Sequence, residues 1–295
     1  LVSRTGVIPI SHMQDTAGPM TRTVRDAAIV LSALAAIDPE DKATEESRGK
    51  SFADYTQFLD PKGLQGARIG VVRRYFGFHG AVDALMNEAF EALKKNGAVI
   101  VDPADSDALG QLGDAEGTVL QYDLKADLNA YLARLGPGAP VHSLKEIIEF
   151  NERNKKTEMP YFGQETFIKA EARGPLTDKE YIEARDKNLR LSRAEGIDAV
   201  MDKFKLDALI APTESPAWVT DLVTGDHFLC SSSTAAAVAG YPHITVPAGF
   251  VFGLPVGISF FGRAWSEPVL IKLAYAFEQA TKHRRPPRFL PTAAV

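Results

Sequence analysis

Asp226, His227 and Ser231 are the residues whose types and spacing most directly suggest chemistry. A serine four positions after a histidine shares a helix face with it, and a neighbouring carboxylate would complete a Ser-His-Asp relay. That relay needs the carboxylate on the far side of the imidazole, which a residue adjacent in sequence rarely reaches. A polar cap ahead of Ser231-Ser232-Ser233-Thr234 explains the same residues without catalysis. Cys230 reads as standing at a helix N-terminus, where a thiolate is stabilised, but a lone cysteine among apolar neighbours is more often a small buried hydrophobe. The 6 histidines, His12, His79, His142, His227, His243 and His283, are scattered without metal-ligand spacing, so no metal is expected. No G-x-G-x-x-G or G-x-x-x-x-G-K loop is present to cradle phosphates, and no cofactor is expected. Asp15 and Glu214 lie beside Pro-containing turns and could act as acid or base, against the plainer reading of solvated loop carboxylates.

These residues sit in a chain of ordinary globular composition, 45% hydrophobic and 24% charged over 295 residues, enough apolar material for one large domain or two modest ones. With 33 basic against 38 acidic residues the net charge is -5, and no long run of like charge points to a nucleic-acid partner. Lys282-His283-Arg284-Arg285 is short, is followed by Pro286-Pro287, and reads as a solvated terminus. The single cysteine excludes an intrachain disulfide and a cysteine-based zinc cluster, and leaves the compartment open. Charge or Pro interrupts every apolar stretch well short of the ~20 residues a bilayer requires, so no membrane span is expected. The chain opens on Leu1-Val2-Ser3, neither an initiator Met nor a signal peptide, which creates the expectation that residues precede it.

Periodicity supplies the elements that must position the candidates. Apolar residues at Val24, Ala27, Ala28, Leu31, Leu34 and Ala35 predict a helix over 21–36, with Thr21 or Thr23 as N-cap and Asp38-Pro39 as stop. A strand over 68–72, a helix over 81–96 closed by Gly97 and a strand over 98–101 form a β-α-β unit, whose crossover implies a parallel pair. Helices are read near 114–134, 143–152, 161–172 and 178–203, broken at Gly136-Pro137-Gly138 and Gly174-Pro175, as a helical insertion at about 114–203. Strands return at 208–211, 244–247 and 256–261, with helices at about 228–239 and 267–281. The expected fold class is α/β, with a mixed, mainly parallel central sheet flanked by helices.

Three ordered blocks carry a resemblance. Leu1 to Ser11 (LVSRTGVIPIS), Gln14-Asp15-Thr16-Ala17-Gly18-Pro19-Met20 and Arg22 to Ala28 form the first, and Leu206 to Thr213 (LDALIAPT) the second. Ala239 to Gly249 (AGYPHITVPAG), with Gly253-Leu254-Pro255-Val256-Gly257-Ile258 and Phe261-Gly262, forms the third. Together they resemble amidase-signature enzymes from just after the nucleophile to the closing motif.

The resemblance implies a Ser/cis-Ser/Lys mechanism, in which a lysine and a bridging serine activate a nucleophilic serine that forms an acyl-enzyme. In the family those residues precede the Leu-Val-Ser block. The 295 residues are therefore expected to be the C-terminal portion of one amidase-signature domain, with the catalytic N-terminal half upstream and no catalytic residue in this chain. Gln14, Asp15, Thr16, Pro212, Thr213 and Cys230 are the expected substrate-cavity residues, although a plain turn and helix cap explains 14–16 equally well. Where the amidase-like subunits of tRNA-dependent amidotransferases carry an acidic residue and an Asn, this chain has Cys230 and Ala237. That departure points away from free glutamine, and the Ser-rich, uncharged stretch is closer to peptide amidases and broad-range amidases. The implied substrate is a small-molecule or peptide amide. The implied partner is the N-terminal half of the same enzyme or, failing that, a second copy, because dividing a sheet exposes its edges. A non-catalytic binding module and an esterase or carbamate hydrolase remain the alternatives.

Overall fold

The computed structural model describes residues 1–289. Its centre is a five-stranded sheet in the order β2-β1-β3-β5-β4, built from β1 (Arg68–Val71), β2 (Val99–Val101), β3 (Ala208–Pro212), β4 (His243–Val251) and β5 (Leu254–Phe261). β1 runs parallel to β2 and β3, while β5 runs antiparallel to β3 and β4, so the sheet is mixed as expected. The β-α-β unit is present: α2 (Gly80–Lys95) ends on Asn96, and Gly97, at φ +94°, turns the chain back into β2. A side chain is disfavoured there on two counts, because a Cβ on Gly97 would also stand 3.2 Å from the Gln65 backbone, which would have to give way.

Alternation along the strands divides the interior into two layers. β3 is buried along its whole length. Ala208 and Ile210 point into one core with Ile69, Val71, Ile258 and Phe260, covered by α1 (Val24–Leu34), α2 and α10 (Glu267–Thr281). Leu209 and Ala211 point the other way, into a core with Val72, Leu191, Ile197, Met201 and Phe261. The Thr23 hydroxyl accepts from the Asp26 N–H at 3.0 Å and starts α1, and Glu278 of α10 accepts the Val24 N–H at 2.8 Å. A charged side chain thus joins two helices that share one core.

The long α3 (Gly113–Ala133) carries a third cluster, Leu124, Leu128, Leu132, Leu144 and Ala170, with α4 (Leu144–Arg153) and α6 (Glu165–Glu171); the short α5 (Lys155–Glu158) lies between them in sequence. Its first half meets Tyr181 of α7 (Lys179–Leu189) through Val119 and Tyr122. From α7 the chain widens into a π-helical stretch, Arg190–Ile197, before α8 (Asp198–Phe204). Gly196 there leaves helical geometry, and a Cβ on it would collide with the Leu191 carbonyl oxygen.

Several elements differ from the expectation: the helix read over 178–203 is divided by the π-helical stretch, and β4 runs beyond 247. The helix read over 228–239 is confined to α9 (Thr234–Ala239), so Cys230 does not stand at a helix N-terminus. Residues 230–232 form an extended clamp instead: Ser215 N–H donates to the Cys230 carbonyl at 3.1 Å, and Ser232 N–H donates to the Thr213 carbonyl at 3.1 Å. The helix read over 161–172 begins only at Glu165.

Candidate functional site

β3 ends at Pro212, and its last pairing, with Ile258, delivers Thr213 to the C-terminal edge of the sheet. There a hollow of about 460 Å³ is lined by Thr213, Glu214, Trp218, Thr245, Val256 and Gly257 among others. Its floor is a hydroxyl cluster. The Thr213 hydroxyl lies 2.6 Å from that of Thr245 and 2.8 Å from that of Ser259, and Ser259 is wholly buried. Thr213 N–H donates to the Gly257 carbonyl at 2.8 Å, which fixes the backbone under its side chain. Gly257 is what leaves room for the cluster, since a Cβ there would stand 2.5 Å from Thr245 Oγ1 and 2.6 Å from Thr213 Oγ1. One wall is aromatic: Trp218 donates through Nε1 to Asp226 at 3.2 Å and meets Phe228 edge-on at 6.3 Å. Such a floor can donate to a carbonyl and accept from an N–H, beside an apolar face and the carboxylate of Glu214.

The expected cavity residues are not all gathered here. Thr213 lines the hollow, and Pro212 is the buried last residue of β3. Cys230 contributes its carbonyl to the clamp, while its thiol lies half-buried 3.8 Å from the Tyr75 carbonyl. Burial pushes that thiol up from its ordinary value, and Arg74 only partly offsets the shift, so nothing makes it a reactive thiolate. Gln14 lines a different and much narrower hollow with Met13, Val119 and Asn188. Asp15 is a turn residue whose carboxylate accepts the N–H groups of Ile10 at 2.8 Å and Ser11 at 3.0 Å, and Thr16 is exposed.

The Ser-His-Asp arrangement has no geometric support. His227 faces Asp221 at 3.4 Å, Asp226 serves Trp218, and the Ser231 hydroxyl lies 3.0 Å from that of Ser233.

A second polar cluster, which sequence spacing did not reveal, ties the first segment to α3. Ser11 donates to Asp123 at 2.5 Å, and His12 Nδ1 lies 2.9 Å from Asp127. Arg4 grips Asp41 through Nε at 2.8 Å and through its backbone N–H at 2.9 Å, holding that carboxyl far below the usual carboxylate range. Among the described residues no helix is long and apolar enough to cross a membrane.

With this geometry in place, the comparisons assign the class. The Amidase family model matches residues 1–271, and the chain belongs to the amidase family. It is 38% identical over 297 residues to a probable amidase of Arabidopsis thaliana, covering 98% of this chain and 53% of the relative. It is 30% identical to a subunit of the glutamyl-tRNA(Gln) amidotransferase of Desulforudis audaxviator, covering 97% of this chain and 58% of the relative. The native peptide amidase of Stenotrophomonas maltophilia superposes with a TM-score of 0.90 at 47% identity, covering 98% of this chain and 58% of that one. A peptide amidase in complex with the competitive inhibitor chymostatin superposes at 0.94 with 48% identity and the same coverage. The chain therefore spans about half the length of the relatives it matches.

Proposed function

We propose that this chain forms the C-terminal part of a hydrolase of carboxamide or peptide C-terminal amide bonds, and that its contribution is a wall of the substrate cavity. The observation that carries the reading is the hydroxyl cluster Thr213, Thr245 and Ser259 at the strand-end floor of the hollow, in a chain 48% identical to a peptide amidase. In this reading the Ser/cis-Ser/Lys residues belong to a segment outside the 295 residues, as the family pattern implies. Thr213 lines the substrate directly, the buried Pro212 fixes its position at the end of β3, Cys230 holds the Ser215 backbone behind them, and Gln14, Asp15 and Thr16 shape the turn that leads to α1. Acyl transfer breaks the C–N bond, releases ammonia, and leaves an ester that water hydrolyses.

A C-terminal peptide amide suits the hollow, because hydroxyls can orient the peptide unit while Trp218 packs against a side chain. The test uses the 295 residues joined to an upstream segment that carries the catalytic residues, with a dipeptide amide as substrate. Thr213→Val and Thr245→Val should each lower kcat/KM by roughly tenfold to a hundredfold, the loss of one or two hydrogen bonds of about 1 kcal/mol each plus misplacement. Unchanged kcat/KM in both variants would remove the hollow from the substrate's path. The 295-residue chain alone should release no ammonia from the same substrate.

A further inference from the structure

We propose that His12, Asp123 and Asp127 form a site for one divalent transition-metal cation of the Zn²⁺ kind, fastening the first turn of the chain to α3. Asp123 and Asp127 stand one helical turn apart and present their carboxylates on one face. His12 arrives from a loop 115 positions away in sequence from Asp127. Its Nδ1 lies 2.9 and 3.1 Å from the two Asp127 oxygens and 3.7 Å from Asp123 Oδ1. A cation bound at about 2.0–2.2 Å holds adjacent N and O donors roughly 3.0–3.4 Å apart, so modest adjustment brings all three onto one ion.

The independent observation is the state of Asp123. It is fully buried; Oδ2 accepts the Ser11 hydroxyl, and Oδ1, which has no partner at ordinary hydrogen-bond distance, faces the imidazole, with the Tyr181 hydroxyl the nearest further donor to the carboxyl. A buried carboxylate oxygen without a partner costs several times what an ordinary hydrogen bond contributes, and a cation placed between it and His12 would satisfy it. Charge agrees. Two carboxylates and a neutral imidazole balance a divalent ion, which would displace the proton that the Asp127 contact favours on the ring. The other ring nitrogen, Nε2, faces the Tyr181 hydroxyl at 3.5 Å, and that hydroxyl also neighbours Asp123. His12 at 39% and Asp127 at 20% exposure leave one side open for entry and for water ligands. Donors of nitrogen and oxygen without thiolate suit zinc and its neighbours.

The test measures metal content and unfolding rather than turnover, so its outcome is separate from the amidase reading. The 295 residues joined to the upstream segment, as in the amidase test, are stripped with chelator and dialysed against Zn²⁺ alone. About one zinc per chain is expected, with a raised unfolding temperature. His12→Gln and Asp127→Asn, both at positions open to solvent, should each weaken binding at least tenfold and abolish the thermal shift. Absence of stoichiometric zinc overturns the proposal, leaving His12 as a protonated partner of both carboxylates. Binding of wild-type strength in both His12→Gln and Asp127→Asn also overturns it, since the ion would then sit on other histidines.

Discussion

Gly257→Ala is the most local perturbation of the strand-end hollow, and its cost follows from distances. The added Cβ would stand 2.5 Å from Thr245 Oγ1 and 2.6 Å from Thr213 Oγ1, so the oxygens would have to retreat by about 0.8–0.9 Å to reach ordinary contact at 3.4 Å. They are poorly placed to do so. Each is bonded to the other at 2.6 Å, and Thr213 is also held to the wholly buried Ser259 at 2.8 Å. Overpacking of this kind costs about 1–3 kcal/mol, and stranding the Ser259 hydroxyl adds about 1–3 more. Alanine recovers about 0.5–1 kcal/mol over glycine in a strand, for a net loss of roughly 1–5 kcal/mol. Urea unfolding should show a lower midpoint with unchanged slope. Thr245→Ala removes one of the two obstructing oxygens, so in the double variant the two costs should fall short of additive by about 1 kcal/mol. A midpoint that stays put or rises in Gly257→Ala would refute the idea that these hydroxyls are confined.

Three further outcomes concern charge. His243 begins β4, stacks on Phe261 at 5.9 Å, and has an enclosed Nε2 without a partner; burial pushes it down to about 4. The unfolded chain therefore takes up the proton first, so stability is full above about pH 6.5 and falls by up to about 3 kcal/mol as pH drops toward 4. His243→Phe should flatten unfolding free energy across that window, and an undiminished slope counts against the assignment. Asp41, held low by Arg4, contributes stability above the ordinary aspartate range that is lost on acidification below it. Asp41→Asn should cost about 2–4 kcal/mol at pH 7 by denaturant unfolding and remove that acid-dependent step; a loss under 0.5 kcal/mol would show the pair to be solvent-screened. Cys230, with its thiol raised by burial, should react with iodoacetamide at pH 7 more slowly than a cysteine in an unstructured peptide, and a faster rate would contradict its surroundings.

What the sequence disclosed depended on whether neighbours or distant partners decided the conformation. α1, α2 and α10 follow the apolar spacing and their local caps, and α10 spans the expected residues. β4 runs four residues past the expected end, because a bulge between Pro247 and Gly249 absorbs residues that ordinarily stop a strand. Phe252 and Gly253, both at positive φ, then close a tight hairpin into β5. The loss of the first turns of the helix expected over 228–239 has a tertiary cause: Cys230 and Ser232 give backbone groups to Ser215 and Thr213, so local propensity is overridden before α9. Thr213 was legible as a strand-end residue. Thr245, Ser259 and Trp218 were not, since only the β3–β5–β4 pairing and a folded loop carry them to it. His12, Asp123 and Asp127 escaped for the same reason: the two carboxylates stand on a helix more than a hundred positions along the chain from the histidine, outside any local ligand spacing.

The π-helical stretch Arg190–Ile197 sets a phase. Each residue of an α-helix advances the side chains by about 100°. α7 must aim Tyr181 at α3, while α8 must aim Val200 and Met201 at the sheet, and the two targets do not share one helical register. The wider turn takes up the mismatch, with Gly196 supplying the backbone freedom at its end. Wound as ordinary α-helix, the same eight residues would advance further about the axis and would turn α8 away from the sheet relative to α3. The helical layer and the sheet are thus geared to each other through one turn, and the chain length of that turn is as constrained as its composition.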